Sequence, residues 1–295
     1  LQWAVVRKLA EKATRIYVAG DDDQAIYKWA GADVDYLIEN SKNAMVLKQS
    51  YRVPSAVHEV AKQCIGQVRS RIYKEWTPRK EEGLVRWEPN IELVNMEKGD
   101  WLVLARTNYL LEDVDAYCRN EGWFFEVKGR PSIPESKIRA VLYWEKLRKG
   151  EGISLNECAN ILKFIKVADY KKLDMLDSDI TLQYEDLKSH FSDLPDGKWF
   201  DVFTLLSPKE VSYIRAMLRR GEKITKQPRI RLSTIHAAKG GEATNVVLLT
   251  DITTRVYKNY QQNPDDENRV FYVGVTRTKE NLYLIEPKTT RCYQL

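Results

Sequence analysis

The chain has 295 residues and a net charge of +5, with 43% hydrophobic and 30% charged residues. These proportions can fill globular cores, and they exclude a collagen-like, low-complexity or wholly disordered chain. The length suits roughly two domains, and the charge permits a polyanionic partner without indicating one.

The first fifty residues are predicted to mix helix, strand and an acidic turn. A helix opens the chain, and a β-prone run covers residues 15–19. An acidic turn at 20–23 then leads into helical spacing over 24–40. A second short β-prone run follows at 44–47.

Strand and helix patterns alternate beyond residue 50. Pro54 suits the first turn of a helix that extends to about Gly66. Such alternation is typical of a parallel sheet with crossover helices. The next predicted elements are strands at 84–87, 101–105 and 123–127 and helices at 110–120 and 134–148.

The composition shifts near Gly150. Residues 151–227 have helical or irregular patterns without β runs. A helix pattern then returns over 266–275, and strands are predicted at 229–233, 246–249 and 282–285. The simplest account is an α/β domain that is interrupted by a mostly helical insertion.

The sequence contains no apolar run that approaches the ~18 residues of a membrane span, and it does not open with a secretory signal pattern. The four cysteines are dispersed without a C-x-x-C pair. This spacing favours structural thiols in a reducing cytoplasm over a zinc site or disulfide framework. We therefore expect a cytoplasmic protein without a membrane segment and without metal ligands of its own.

Two clusters in the first fifty-two residues could carry chemistry. Segment 20–32 reads GDDDQAIYKWAGA, and Gln24 could orient a water or a phosphate oxygen. Taken alone, its acidic turn is more often a solvated loop, and Tyr27 and Trp29 are more often core residues. In the second cluster, Arg52 could offer a planar fork to a phosphate beside a tyrosine that can stack on a base.

Two further clusters lie in the last third of the chain. Segment 231–242 places His236 and several small residues after a strand, which allows a polar ligand to approach the backbone closely. A lone histidine in such a place is more often structural. Segment 266–277 is an amphipathic helix pattern that ends at Thr276-Arg277.

In this order the clusters resemble the conserved motifs of the UvrD/Rep/PcrA family of superfamily 1 helicases. Segment 20–32 is similar to motif III, G-D-x-x-Q-x-I-Y-x-W-R-G-A, at every fixed position except Ala30. Segment 47–53 is similar to motif IV, L-x-x-N-Y-R-S, with Ser50 for Asn and Val53 for Ser.

The later motifs of the family are also matched. Segment 234–243 is similar to motif V, T-x-H-x-A-K-G-L-E-F, with Gly241 for Leu and Ala243 for Phe. Segment 267–278 keeps the Arg, Tyr-Val-Gly and Thr-Arg pattern of motif VI, and 105–108 is similar to the family's R-T-N.

The resemblance implies a domain organisation. Residues 49–150 and 228–295 would form the parallel sheet of the second RecA-like motor domain, 2A. Residues 151–227 would be a reduced, mostly helical insertion similar to subdomain 2B. Residues 1–48 would be the tail end of the first RecA-like domain, 1A. The fold class is therefore predicted to be α/β.

The resemblance also assigns roles to individual residues. Arg52 and Arg277 resemble the two arginines that reach the γ-phosphate, and Gln24 resembles the residue that couples the phosphate to DNA. For the nucleotide site it further implies an adenine-stacking Tyr51 and a ribose-binding Glu242 beside Gly240. The residues that resemble DNA contacts are Tyr27, Trp29, Asn108 and His236.

No G-x-x-x-x-G-K-[ST] segment occurs in the sequence, so the cradle for the β- and γ-phosphates is missing. The family's D-E-x-Q-D segment, which holds Mg²⁺, normally lies just before the helix that Leu1 opens. The resemblance therefore describes the C-terminal portion of a helicase, from motif III through motif VI.

The implied function is the C-terminal part of an ATP-dependent 3′→5′ DNA helicase or translocase. It would use ATP and Mg²⁺ only together with its missing N-terminal motor half, and would act on single-stranded or partly duplex DNA. The fragment alone is predicted to be inactive. The alternative is a nucleic-acid-binding or regulatory module from a split or truncated helicase, which does not hydrolyse ATP. An in-frame Walker motif upstream of Leu1 would favour the helicase.

Overall fold

The computed structural model describes residues 2–41, 44–167, 180–222 and 227–295. The described residues contain nine strands: β1 (Leu84–Glu88), β2 (Trp101–Ala105), β3 (Phe125–Val127), β4 (Arg130–Pro131), β5 (Ile153–Ser154), β6 (Thr181–Leu182), β7 (Ile230–Thr234), β8 (Ala243–Leu249) and β9 (Thr278–Ile285).

The same residues contain eleven α-helices: α1 (Gln2–Ala10), α2 (Val34–Glu39), α3 (Ser55–Gly66), α4 (Glu112–Glu121), α5 (Glu135–Arg148), α6 (Leu155–Leu162), α7 (Tyr184–His190), α8 (Trp199–Val202), α9 (Pro208–Arg220), α10 (Thr254–Gln262) and α11 (Pro264–Val275). None of these helices is both long and apolar enough to cross a membrane.

The chain divides into two units. Unit 1 comprises Leu1–Asp115 and Arg229–Leu295, and unit 2 comprises Ala116–Pro228. This division differs from the predicted boundaries, because residues 1–48 fall within unit 1 and unit 2 begins at Ala116 rather than near residue 150. The assignment of segments to domains 1A, 2A and 2B stays a prediction.

Five parallel strands form the sheet of unit 1, in the order β1-β9-β8-β2-β7. All five residues of β2 are buried, as expected for a parallel strand that is covered on both faces. At its centre Val103 pairs with Leu232 of β7 and Val247 of β8. The predicted α/β class and parallel sheet are confirmed.

Two helices of unit 1 pack together and bury apolar residues at helical spacing. The core residues of α3 include Val57, Ala61 and Cys64. On α11 the Phe271 ring stacks on Tyr293, with centroids 3.9 Å apart. Burial raises the pKa of the Cys64 thiol to about 12, which fits the predicted structural role.

The N-terminal segment differs from its predicted structure. Residues 15–19 and 44–47 form no strand, and residues 15–19 are exposed. The helix predicted at 24–40 is replaced by 3₁₀ turns at Asp22–Gln24 and Lys28–Ala30, followed by α2. Gly31 has a φ of 86° and ends the second turn. An extended segment needs a neighbouring strand for its backbone groups, and the described residues provide none here.

The described residues of 151–227 are mostly helical, as predicted, but unit 2 also contains short β ladders. Strands β3 and β4 form a hairpin, and β5 pairs antiparallel with β6. The strand predicted at 123–127 is observed as β3, whereas the prediction of no β runs in 151–227 was wrong at β5 and β6. Gly122, with a φ of 73°, lies so close to α9 that a Cβ would be 2.4 Å from the carbonyl carbon of Ala216. This approach requires glycine.

Candidate nucleotide and DNA site

The predicted site residues lie at two opposite edges of the unit 1 sheet. Because the strands are parallel, β2 and β7 end at one edge, whereas β8 and β9 begin at the other. Asn108 and His236 follow the ends of β2 and β7, and Glu242 and Arg277 immediately precede β8 and β9. The predicted DNA residues are thus separated by the sheet from the predicted nucleotide residues.

Segment 20–32 contacts residues from both edges. The Oη of Tyr27 donates a hydrogen bond of 2.6 Å to the carbonyl oxygen of His236. At the other end, Nη2 of Arg277 donates to Oε1 of Gln24 over 3.4 Å. Lys239 Nζ donates to the Gln24 carbonyl oxygen over 2.9 Å. A single short segment therefore connects both groups of predicted residues.

The acidic turn of this segment is buried, and its carboxylates are paired with two cations. Asp22 and Asp23 are each 1% exposed. Arg71 donates from Nε and Nη2 to Asp23, over 2.8 and 2.7 Å. Lys74 Nζ lies 3.2 Å from Asp21 and 3.1 Å from Asp23, and it also contacts Asp22. The expectation of a solvated loop was wrong, because cations that are distant in sequence compensate the burial of these carboxylates.

The closeness of Asp21, Asp22 and Asp23 does not indicate a metal site. Their oxygens lie near enough to one another to hold an ion. However, Lys74 contacts all three carboxylates, and Arg71 forms an ion pair with Asp23. Asp21 also accepts a hydrogen bond of 2.6 Å from the side-chain amide of Gln24. The carboxylates already have cationic partners, and Asp21 also orients the glutamine.

Arg277 is a buried cation at the amino edge, with only 1% of its surface exposed. Its Nε donates to the Val273 carbonyl oxygen over 2.9 Å, and its Nη1 donates to that of Gly241 over 3.2 Å. Burial, followed by the charge of Arg52, lowers the pKa of Arg277 to about 10, so the guanidinium remains charged at neutral pH.

Two cations contact one carboxylate at this edge, and a third binds the backbone of the preceding residue. Glu242 lies 2.5 Å from Lys279 Nζ and 3.7 Å from Arg52 Nη1, and Arg277 contacts the adjacent residue. The hydrogen bond from Lys279 lowers the pKa of Glu242. The Nε of Arg52 is buried without a hydrogen-bond partner. This excess of positive charge and an unused donor fit an anionic ligand.

At the carboxyl edge, aromatic rings and a neutral histidine lie together. Trp29 is 78% exposed, which contradicts the expectation that it would be a core residue. Its ring centroid lies 6.1 Å from that of the half-buried Tyr27, which in turn lies 5.8 Å from His236. Burial and then the charge of Arg106 lower the pKa of His236 to about 4, so the imidazole is neutral at pH 7.

Some predicted residues are not joined to these groups. The described hydrogen bonds and ring contacts do not link Tyr51, Asn108 or Gly240 to the other site residues. Tyr51 is 88% exposed, and its ring can stack on an incoming group. Gly240 has a φ of 88° and is exposed, so the turn at this position favours glycine.

Sequence reasoning missed the ion pairs that three cations form in the site. Arg71 and Lys74 lie outside every motif, and no pattern in the sequence indicated that they would bind the acidic turn. Arg106 forms a bidentate pair with Glu267, over 2.6 and 2.7 Å. Both of these residues lie within matched motifs, but they are 161 residues apart and their pairing depends on the tertiary fold.

Two family models match the chain. The model of the UvrD-like helicase C-terminal domain matches residues 197–289, and that of the UvrD/REP helicase N-terminal domain matches residues 1–45. Together the two matches support a relationship to the UvrD/Rep/PcrA helicase family. The α/β sheet of unit 1 is consistent with a RecA-like domain of this family.

Relatives cover the chain to different extents. A probable DNA helicase II homolog of Rickettsia conorii is 22% identical over 99% of this chain and 60% of its own length. One of Mycoplasma capricolum is 20% identical over 96% of the chain and 53% of its own length. The ATP-dependent DNA helicase PcrA of Staphylococcus aureus is 33% identical, but over only 30% of the chain and 12% of its own length. The chain thus spans little more than half the length of the relatives that match it throughout.

Proposed function

We propose that this chain is the C-terminal part of an ATP-driven 3′→5′ DNA helicase or translocase. One observation carries the proposal: segment 20–32 contacts Arg277 through Gln24 and His236 through Tyr27. A motor of this kind must connect its nucleotide site to its DNA site. The contacts of this segment supply a direct route between the two groups of residues.

The residues at the amino edge fit an anionic nucleotide. Arg52 and Arg277 would stabilise the negative charge that develops on the transferred phosphoryl group, as an arginine finger does. Tyr51 would stack on the adenine, and Glu242 beside Gly240 would contact the ribose. The phosphate-binding lysine and the Mg²⁺ ligands would come from the N-terminal motor half, since the carboxylates of the acidic turn are already paired.

The residues at the carboxyl edge fit single-stranded DNA. An exposed indole offers a stacking face that any base can use, and nearby cations attract the phosphate backbone. Trp29 would be the main platform, with Tyr27, His236 and Asn108 beside it. Lys239 Nζ lies 5.4 Å from the centre of the Tyr27 ring and contributes positive charge at the same surface.

The DNA part of the proposal is tested with this chain and two tryptophan variants. Trp29→Ala should weaken binding of a single-stranded oligonucleotide by about 1–3 kcal/mol, since it removes one stacking platform. Its melting temperature should match that of the wild type, because the ring is 78% exposed. The matched control is Trp87→Ala on β1, where the ring is 43% exposed and lies outside the site.

Fluorescence anisotropy at two salt concentrations measures the affinity, and binding should weaken as salt rises. Unchanged affinity in Trp29→Ala, with the variant folded, would contradict the DNA contact. Phosphate release assays should show no turnover of ATP by this chain alone. DNA-stimulated turnover would contradict the requirement for a separate phosphate cradle.

A further inference from the structure

Lys74 lies outside every matched motif, yet its ammonium group contacts the whole acidic turn of motif III. Its Nζ lies 3.2 Å from Asp21 Oδ1 and 3.1 Å from Asp23 Oδ2, and it also contacts Asp22. The lysine side chain is only 17% exposed. Burial by itself would lower the pKa of Lys74, but the hydrogen bond to Asp22 and the charges of the other two carboxylates outweigh it. The pKa is therefore raised, and the ammonium stays charged.

The segment between α3 and β1 that carries this lysine is bound to three of the motifs. The Ile72 N–H donates to the carboxylate of Asp22 in motif III over 2.8 Å. The Ser70 carbonyl oxygen accepts from the guanidinium of Arg269 in motif VI. The Thr77 N–H donates over 2.6 Å to a carbonyl oxygen of the motif IV segment. The lysine is therefore held at a defined place beside the acidic turn.

The side-chain amide of Gln24 lies between two charged partners. Its Nε2 donates to Asp21 Oδ2 over 2.6 Å, and its Oε1 accepts from Arg277 Nη2 over 3.4 Å. An ionised carboxylate only accepts hydrogen bonds, and a guanidinium only donates them. One orientation of the amide therefore satisfies both partners, with the oxygen toward Arg277. The Asp21 carboxylate meets the glutamine through Oδ2 and Lys74 through Oδ1, so that each oxygen has its own partner.

We propose that Lys74 is a positioning residue for Gln24: it holds the Asp21 carboxylate, which in turn holds the amide with its oxygen toward Arg277. The three carboxylates of the turn have oxygens within 4.8 Å of one another. Without the lysine they would repel each other, and among the described residues only the ion pair with Arg71 would remain. Asp21 is the most exposed of the three and would turn toward solvent, which releases the glutamine. The consequence for turnover rests on the proposed function.

The first test is nuclear magnetic resonance of this chain, labelled with ¹⁵N at its glutamine side-chain amides. Gln24→Ala identifies the Gln24 signal by its loss. In Lys74→Met this signal should move to the position of a free glutamine amide, because the amide loses its carboxylate partner. Lys74→Arg should keep the wild-type position, since a guanidinium also pairs with carboxylates. Should Lys74→Met not fold, Lys74→Met/Asp22→Asn removes one buried negative charge as well, and should show the same move.

Lys137→Met is the matched control. Lys137 is a similarly buried lysine, with 24% of its side chain exposed, and it pairs with Glu210 in unit 2. Its replacement also breaks a partly buried ion pair, but it should leave the Gln24 signal where it is. A loss of stability alone therefore does not imitate the effect expected at Lys74.

The second test joins this chain to a motor half that carries the phosphate cradle. Lys74→Met should lower the DNA-stimulated kcat about tenfold or more, the rate equivalent of one hydrogen bond to a charged group. Lys74→Arg should recover most of the loss. In a Gln24→Ala background the lysine change should have little further effect, because residues that act as one unit are not additive.

Two results would overturn the inference alone and leave the proposed function standing. One is an unmoved Gln24 signal in folded Lys74→Met, and the other is an equal loss of kcat with and without the glutamine. Absence of ATP turnover by the joined wild type would instead overturn the proposed function, and the amide signal of this chain would then decide whether Lys74 positions Gln24.

Discussion

Arg71 and Asp23 form a bidentate ion pair over 2.8 and 2.7 Å, although they lie 48 residues apart in the chain. The pair fixes the acidic turn of the motif III segment on the residues that follow α3. Asp22 takes part as well, since its carboxylate accepts from the Ile72 backbone N–H over 2.8 Å. The turn that carries Gln24 is therefore held in place by buried ion pairs, next to the core residue Ile26.

Replacement of Arg71 should destabilise unit 1 strongly. Arg71→Met keeps an unbranched apolar stem, but among the described residues it leaves the carboxylate of Asp23, which is 1% exposed, with Lys74 as its only cation. Breaking a buried pair costs about 3–5 kcal/mol, and the remaining lysine should reduce the loss to about 2–3 kcal/mol. Urea denaturation, followed by circular dichroism, measures this loss in the free energy of unfolding.

The control for this change is Lys62→Ala on α3. Lys62 pairs with Glu59 over 2.9 Å, but both side chains are more than half exposed. An exposed pair contributes about 0–1 kcal/mol, so this variant should unfold near the wild-type midpoint. Equal midpoints for both variants would show that the acidic turn does not depend on Arg71.

His236 should make the stability of unit 1 depend on pH. Its folded-state pKa of about 4 lies below the usual 6.5, so between these values the unfolded chain binds the proton first. Stability therefore falls as the pH drops through 6.5, and this contribution levels off near pH 4. Solvent screening should limit the contribution to about 1–2 kcal/mol.

Two glutamine variants isolate this effect from the carboxylates that titrate in the same range. His236→Gln cannot take up a proton, and should lose less stability than the wild type between pH 7 and pH 4. His190→Gln, on α7 of unit 2, should keep the wild-type dependence. Denaturant titrations at several pH values provide the comparison, and identical slopes for His236→Gln and the wild type would refute the prediction.

Most of the unit 1 sheet could be predicted, because its strands are apolar runs between polar turns. The predicted bounds of β2 agree with those observed at 101–105. Helix α10 escaped prediction because it is mostly polar, with Val256 as its only buried residue. The segments at 15–19 and 44–47 have β-prone sequences, but such a preference needs a partner strand to become structure.

The sequence motifs name candidate site residues, but they do not predict how these residues are arranged. The motifs identified Gln24 and Arg277, yet their contact joins positions 253 residues apart. The burial of Arg277 and the ion pairs between Lys74 and the acidic turn depend on how distant segments pack. Local sequence patterns carry no information on such packing, which is why these features emerged only from the structure.

Gly122 should be essential for the packing of unit 2. A Cβ at this position would lie 2.4 Å from the backbone of Ala216, and the φ of 73° also disfavours an L side chain. Gly150 has a similar φ of 79°, but a Cβ there meets nothing within 4 Å. Gly150→Ala should therefore cost about 1–2 kcal/mol through backbone strain alone.

Gly122→Ala should cost at least about 2 kcal/mol more than Gly150→Ala, because backbone atoms of α9 must also move. Thermal denaturation of the two variants separates the stability loss from steric overlap, which only Gly122→Ala suffers, from the loss through backbone strain, which both share. If both lose the same stability, the close approach to α9 is not what selects glycine at position 122.

Arg277 should be required for ATP hydrolysis once this chain is joined to a motor half that carries the phosphate cradle. A guanidinium that stabilises charge in the transition state raises the rate by about 10³–10⁵ in other phosphoryl-transfer enzymes. Arg277→Ala should lower the DNA-stimulated kcat by at least about a hundredfold, with partial compensation from Arg52. Arg277→Lys should restore little activity, since an ammonium cannot form the two parallel hydrogen bonds of a planar guanidinium.

Lys279→Ala is the matched control, because this half-buried lysine lies at the same edge and binds Glu242 over 2.5 Å. It should keep kcat within a few-fold. Since Arg277 is buried and donates to backbone carbonyls, melting curves must first show that its variants are folded. DNA affinity without nucleotide should stay within a few-fold, because Arg277 lies at the opposite edge of the sheet from Trp29 and His236. Near-normal turnover by folded Arg277→Ala would refute its proposed role at the phosphate.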